Sequence, residues 1–183
     1  MILARWRARR ANRILIDQIH GEIVAAARAP ALFRDLGAPD DMDGRFEMTI
    51  LHAALVLRRL GGLGPTGASI SQELVDRVFE GFEDALRELA ISDAGVARRI
   101  KSMGSAFQGR AKVYDEALAA RDAPALVTAL ARNAFRAKTP SDAPRATALA
   151  AHVLALADAF DAIPIEAFTE GRFRYPVALV EAS

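Results

Sequence analysis

A chain of 183 residues, 52% of them hydrophobic and none of them cysteine, can bury a sizeable core unaided, but it can form neither a disulfide framework nor a thiolate metal site. Its formal net charge of +1 says nothing about partners; the distribution of charge says more. Arg5, Arg7, Arg9, Arg10 and Arg13 all precede the first acidic residue, Asp17, so residues 1–11 form a basic arm. The arm carries Ile2, Leu3 and Trp6 but no apolar run of signal-peptide length. No segment approaches the roughly 20 apolar residues of a membrane span. The expectation is a cytoplasmic protein, peripheral at the inner membrane, whose arm (Arg5, Trp6, Arg7, Arg9, Arg10) meets an anionic membrane or ribosome surface.

Helical periodicity dominates from Asn12 onward, which predicts an all-α, single multi-helix domain over residues 12–162. Leu15, Ile16, Ile19, Ile23 and Ala27 recur at helical spacing and Pro30 ends the run; one further turn closes on Gly37. Asp40, Asp41 and Asp43 precede a helix over Arg45–Leu60, where carboxylates suit free N–H groups and the helix dipole. The glycines from Gly61 to Gly67 read as a loop, and Ser69 with Gln72 as a capping box for a helix burying Ile70, Leu74, Val78, Phe82, Leu86 and Leu89. Asp93 caps a long helix with Val96, Ile100, Met103, Phe107, Tyr114 and Leu118 on one side. Pro124 starts another, Thr139–Asp142 is a break, and a last helix carries Leu149, Val153, Leu156 and Phe160. Residues 163–183 read as an irregular tail held down by Phe168, Phe173 and Tyr175.

Catalytic and cofactor chemistry finds no support in this pattern. His20, His52 and His152 share no metal-ligand spacing, and the three aspartates before Arg45 lack the ligand run of a calcium loop. The glycine-rich stretch has no Gly-Lys-Ser/Thr ending and follows a helix, not a strand, so it is no phosphate loop. The expectation is a protein that is not an enzyme, with no metal, no cofactor and no catalytic residue. The arginines of the arm are not interleaved with stacking aromatics beyond Trp6, which disfavours specific nucleic-acid binding.

Two helix faces stand out instead as candidate partner-binding surfaces. At 100° per residue, Arg98, Lys101, Ser102, Ser105, Gly109 and Lys112 lie opposite the apolar side of the Asp93 helix. Gly104 and Gly109 cost about 1 kcal/mol each in a helix interior relative to alanine. They mark either close approach by another element or a solvated face. On the Arg45–Leu60 helix, Met48 and Leu55 are interleaved with Arg45, His52 and Arg59 on the side away from Phe46, Ile50 and Leu57. A helix this apolar all round is either covered on its second side or part of a basic, apolar groove.

The runs Leu36-Gly-Ala-Pro-Asp40, Asp43-Gly-Arg-Phe-Glu-Met48, Leu51-His52 and Arg58-Arg-Leu60 resemble the ubiquinol–cytochrome c chaperone family. The resemblance continues through Ile100-Lys101-Ser-Met103, Ala106-Phe-Gln-Gly-Arg110, Tyr114-Asp115, Arg132-Asn133 and Gly171-Arg-Phe-Arg-Tyr-Pro176. The chain departs from the family pattern at Ala90-Ile-Ser-Asp-Ala94, at Gln108 and at Gly81-Phe-Glu-Asp84. The resemblance implies a helical assembly chaperone for respiratory complex III that binds newly made cytochrome b, acts with a small co-chaperone and associates with the ribosome. The alternative role is a membrane-surface or ribosome-associated adaptor acting through the arm. Arg110 joins the two faces above as a candidate contact for such a client.

Overall fold

Apolar residues at three- and four-residue spacing fold into eight α-helices in the computed structural model, which describes residues 2–177 and side chains from Arg10 to Val177. In chain order these are α1 (Ile2–Ala27), α2 (Pro30–Arg34), α3 (Met42–Gly61), α4 (Gly64–Glu88), α5 (Asp93–Ala119), α6 (Ala123–Asn133), α7 (Arg145–Asp161) and α8 (Ile165–Thr169). A 3₁₀ turn over Pro140–Asp142 joins α6 to α7. Among the described residues there is no strand, and no helix is long and apolar enough to cross a membrane.

α3 is the hub. It packs against α1, α4, α5 and α7, while α6 bridges α5 and α7 and α8 returns to α1. The hub is apolar on every side because every side has a neighbour: Met48, Ile50, Leu51, Ala53, Leu55, Val56 and Leu60 are all buried. Its first turn is fixed by Asp41, whose Oδ1 accepts from the Gly44 backbone N–H at 2.8 Å. Gly44 is required there, since a Cβ would stand 1.9 Å from the Pro39 carbonyl oxygen.

Several expectations change. The first helix begins at Ile2, so the arm continues α1 without a break; the side chains of Arg5, Trp6, Arg7 and Arg9 lie outside the described residues, as do residues 178–183. The glycine-rich stretch is not a loop: only Gly62 and Leu63 separate α3 from α4. Gly64 takes φ +71°, and a Cβ on Gly67 would stand 2.1 Å from the Leu60 carbonyl oxygen, so the glycines permit a tight helix–helix corner. Ser69 and Gln72 consequently sit inside α4 and cap nothing. Leu89, placed in the core by its spacing, is 57% exposed where α4 ends. At α5 the cap is Ser92, whose hydroxyl accepts from the Gly95 N–H, with Asp93 in the first turn.

The stretch read as an irregular tail contains the short helix α8. Phe168 and Phe173 are buried and stacked 4.7 Å apart, and Tyr175 meets Phe160 edge-on at 5.0 Å.

Candidate interaction site

The candidate residues on α3 separate into two groups. Met48, His52 and Leu55 are buried, because α3 is covered on the side they occupy. Of the two readings of this helix the covered one holds, and these three side chains offer no surface to a partner. Arg59 is half-buried and its Nε donates to the Ile163 carbonyl at 2.7 Å, so it anchors the segment leading into α8. Arg45 remains at the surface, held by Asp40 at 2.6 Å.

On α5 the candidates stay outside. Arg98, Lys101, Ser105, Gly109 and Lys112 are exposed along one face, with Phe107, Tyr114 and Leu118 buried on the other. A Cβ at Gly104 or Gly109 would meet nothing within 4 Å, so among the described residues no other element approaches them closely. Arg110 is the exception on this helix. It turns inward to pair with buried Glu47 at 3.0 Å, which removes it from the set of free surface cations. Lys112 makes a long contact to Glu116 at 3.8 Å, one turn away.

Beside this face lies a groove of about 630 Å³ between the start of α3, the end of α4 and the first turns of α5. Its apolar lining includes Met42, Phe46, Phe82, Leu86, Leu89 and Met103, and its edge carries Arg45 and Arg99. Met42 is 42% exposed and Leu89 57%, and both sit at this opening. The floor is stiffened by aromatic contacts, Phe46 to Phe82 at 4.2 Å, Phe79 to Phe82 at 5.8 Å and Phe79 to Phe107 at 5.5 Å. On the rim, Arg136 reaches back to Asp41 at 2.5 Å and Asp43 at 3.7 Å. The Arg136 guanidinium, followed by the Gly44 N–H, holds the Asp41 carboxyl below its ordinary range. Met42, Leu89 and Arg99 were not singled out as contact residues by sequence reasoning. At helix ends an apolar residue continues the helical spacing whether or not anything lies beneath it, so spacing cannot separate a rim from a core.

Charged groups inside the fold are paired. Glu47 is 3% exposed, faces Arg110, and accepts from the Tyr114 hydroxyl at 3.2 Å. Desolvation outweighs these partners and raises its pKa to about 7. Arg58 ties three helices together, with Asp115 of α5 at 3.3 Å and Asp161 of α7 at 3.6 Å. No group of three or more His, Asp or Glu side chains able to hold a metal ion occurs among the described residues.

The model of the ubiquinol–cytochrome C chaperone family matches residues 34–175. The chain belongs to this family. The matched span runs from the end of α2 to Tyr175 and includes the groove, the outer face of α5 and the Glu47–Arg110 pair. Among solved structures the chain is similar to that of the Cbp3 homolog from Brucella abortus, with 37% sequence identity and a TM-score of 0.83, over 97% of this chain and 98% of that one. No curated protein sequence matches.

Proposed function

We propose that this protein is an assembly chaperone that holds newly made cytochrome b during biogenesis of the ubiquinol–cytochrome c reductase. It acts by binding and not by catalysis, at the cytoplasmic face of the inner membrane. The observation that carries the reading, beside family membership, is the groove with its exposed Met42 and Leu89 next to the exposed basic face of α5. A membrane protein before assembly presents apolar surface bordered by charged loops. An apolar cleft buries the first and neighbouring cations orient the second. In this reading Arg45, Arg98, Lys101 and Lys112 steer the client, Ser105 and Gly109 let its backbone approach closely, and Met42, Phe46, Leu89 and Met103 bury its apolar part. Methionines suit that role because their unbranched side chains adapt to varied partners. The basic arm adds a contact to anionic lipid at about 1 kcal/mol per basic residue.

The test is co-production with cytochrome b and affinity capture, with photo-crosslinkers placed at Leu89 and Lys101. Capture with crosslinks from these positions supports the reading. Failure of cytochrome b to co-purify, or crosslinks confined to other faces, refutes it.

A further inference from the structure

The lining of the α3–α5 groove carries four carboxylates, Asp40, Asp41, Asp43 and Glu88, against three arginines, Arg28, Arg45 and Arg99. Three of the carboxylates cluster where α3 begins, and arginines engage all three. Arg45 holds Asp40 at 2.6 Å. Arg136 holds the other two and comes from outside the lining, on the segment between α6 and the 3₁₀ turn. Its Nη2 lies 2.5 Å from Asp41 Oδ2 and its Nη1 lies 3.7 Å from Asp43 Oδ2. Glu88, Arg28 and Arg99 line the groove without a salt bridge among the described residues.

The two aspartates that Arg136 grips are the chain neighbours of Met42, so one guanidinium straddles the methionine that is exposed at the groove mouth. From the α5 side, Arg99 Nη1 lies 4.0 Å from the Met42 sulfur. Asp41 is engaged through both oxygens, since Oδ1 accepts from the Gly44 N–H. The base of Arg136 is fixed as well. Ala134 is buried, and the Ala137 N–H donates to the Ala131 carbonyl at 2.9 Å. Arg136 takes φ +56°, a left-handed conformation that favours glycine and that Gly37 and Gly171 adopt beyond the ends of α2 and α8. The turn therefore carries an arginine at a cost in backbone strain.

We propose that Arg136 is a positioning residue of this groove: it fixes Met42 at the mouth and neutralises the two carboxylates beside it, so that an apolar client segment bordered by acidic residues can enter. The proposal rests on the reading of the groove as the client site. Arg136, Asp41 and Asp43 are each at least half exposed, and ion pairs so exposed add little to the stability of a fold. Their effect on binding is larger. A methionine already held in place is not ordered at the moment of binding, which removes part of the cost of association. Without Arg136, two carboxylates would face the incoming segment well within a Debye length, about 8–10 Å at ordinary salt, and repel its acidic border.

The test combines the methyl NMR signals of methionine-labelled full chain with cytochrome b capture at low and high salt. Arg136→Gln is expected to shift and sharpen the Met42 signal toward that of a free side chain, while Met48 and Met103 stay in place. Tm falls by no more than about 2–4 °C. Capture drops about fivefold at low salt, and the loss shrinks at high salt because the exposed carboxylates are screened. Arg136→Lys, a single point charge in place of a fork, and Asp43→Asn each move Met42 part of the way. Arg121→Gln is the matched control. Arg121 also takes a left-handed φ, +51°, and holds an exposed carboxylate, Asp158, at 2.5 Å, but it does not line the groove. Its loss leaves Met42 and capture unchanged. An unmoved Met42 signal in Arg136→Gln, Met48 and Met103 shifting along with it, a capture loss indifferent to salt, or an equal loss from Arg121→Gln overturns the proposal. Failure of the parent to capture cytochrome b rejects the client reading, and the Met42 signal then upholds or overturns the placement of Met42 by itself.

Discussion

α3 and α5 are the two helices on which a basic, partly apolar face can be drawn, and the structure treats them in opposite ways. α3 has neighbours all round, and its Met48, Ile50, Leu55 and Val56 are buried in every direction. α5 is buried along Val96, Phe107, Tyr114, Ala117 and Leu118, and Arg98, Lys101, Ser105, Gly109 and Lys112 face outward. Cations follow the same division. Arg58 and Arg59 of α3 bind groups within the fold, whereas Arg98 and Lys101 of α5 have no salt bridge among the described residues. A helix apolar all round is therefore a hub, and a helix apolar on one side with exposed cations on the other is where a partner has access.

The sharpest way to break this comparison is a charge in the hub. Leu55→Asp puts a carboxylate where the side chain is 2% exposed, and the arginines one turn on, Arg58 and Arg59, are already engaged by Asp115, Asp161 and the Ile163 carbonyl. The cost is about 4 kcal/mol or more, a large share of the roughly 5–15 kcal/mol that holds such a domain together. The expected outcome is loss of cooperative unfolding or insoluble protein. A folded variant with a near-normal Tm would mean that this face of α3 is open to water.

A smaller effect tests how the two helices are joined. Glu47 of α3 has a folded-state pKa near 7, against about 4.5 in the unfolded chain, so the folded state binds the extra proton between these values. Its contribution to stability is fully present below about pH 4.5, is lost as pH rises through about 7, and is flat above that. The span is on the order of 1–3 kcal/mol, since Arg110 and Tyr114 compensate part of the desolvation. Glu47→Gln is expected to remove this dependence, so that urea midpoints of variant and parent diverge with rising pH between 5 and 8. Parallel pH profiles would show that Glu47 titrates as an ordinary carboxylate.

The helices themselves were legible because apolar spacing reports burial wherever a helix has one wet side, as in α1 and α7. Reading failed where two helices meet at a corner. Gly61 to Gly67 has loop composition, yet Gly67 is there because the Leu60 carbonyl leaves no room for a Cβ, a long-range fact that local sequence does not carry. Whether the second side of α3 is covered stayed open between two readings, since His52 and Arg45 both look polar in sequence and only packing buries one and leaves the other at the surface. Arg110 misled for the same reason. Its spacing places it beside the surface cations of α5, and only the position of Glu47 on another helix turns it inward.

Glycines on α5 allow a prediction of opposite sign. Gly104 and Gly109 lie inside the helix, have no positive φ, and would place a Cβ in open space. Alanine at each position is expected to stabilise by about 0.5–1 kcal/mol, because the unfolded chain loses freedom that the helix never uses. For a chain of this size that is an increase of about 2–4 °C in Tm per substitution. A decrease would show that the helix needs glycine's backbone freedom. Cytochrome b capture is the second readout: a methyl group that raises Tm while lowering capture places Gly109 at the client contact.

The smallest expected change in stability carries the most information about function. Lys101 is exposed, lies about 120° from Phe107 on the wheel, and has no salt bridge among the described residues. Lys101→Asp should therefore move Tm very little, within the roughly ±0.5 kcal/mol typical of surface substitutions. Its effect belongs in association, where exchanging one sign for the other beside Arg98 and Lys112 removes steering and adds repulsion for an acidic client segment. The expected result is slower, more salt-sensitive capture of cytochrome b with unchanged melting. Lys101→Ala should fall between parent and Lys101→Asp, because it deletes attraction without adding repulsion. If both variants capture like the parent at low salt, the cations of α5 are a solvated face and the client is held by the apolar groove alone. If Lys101→Asp melts as poorly as Phe107→Ala, for which about 3–5 kcal/mol is expected, the outer face of α5 is structural and the contrast with α3 fails.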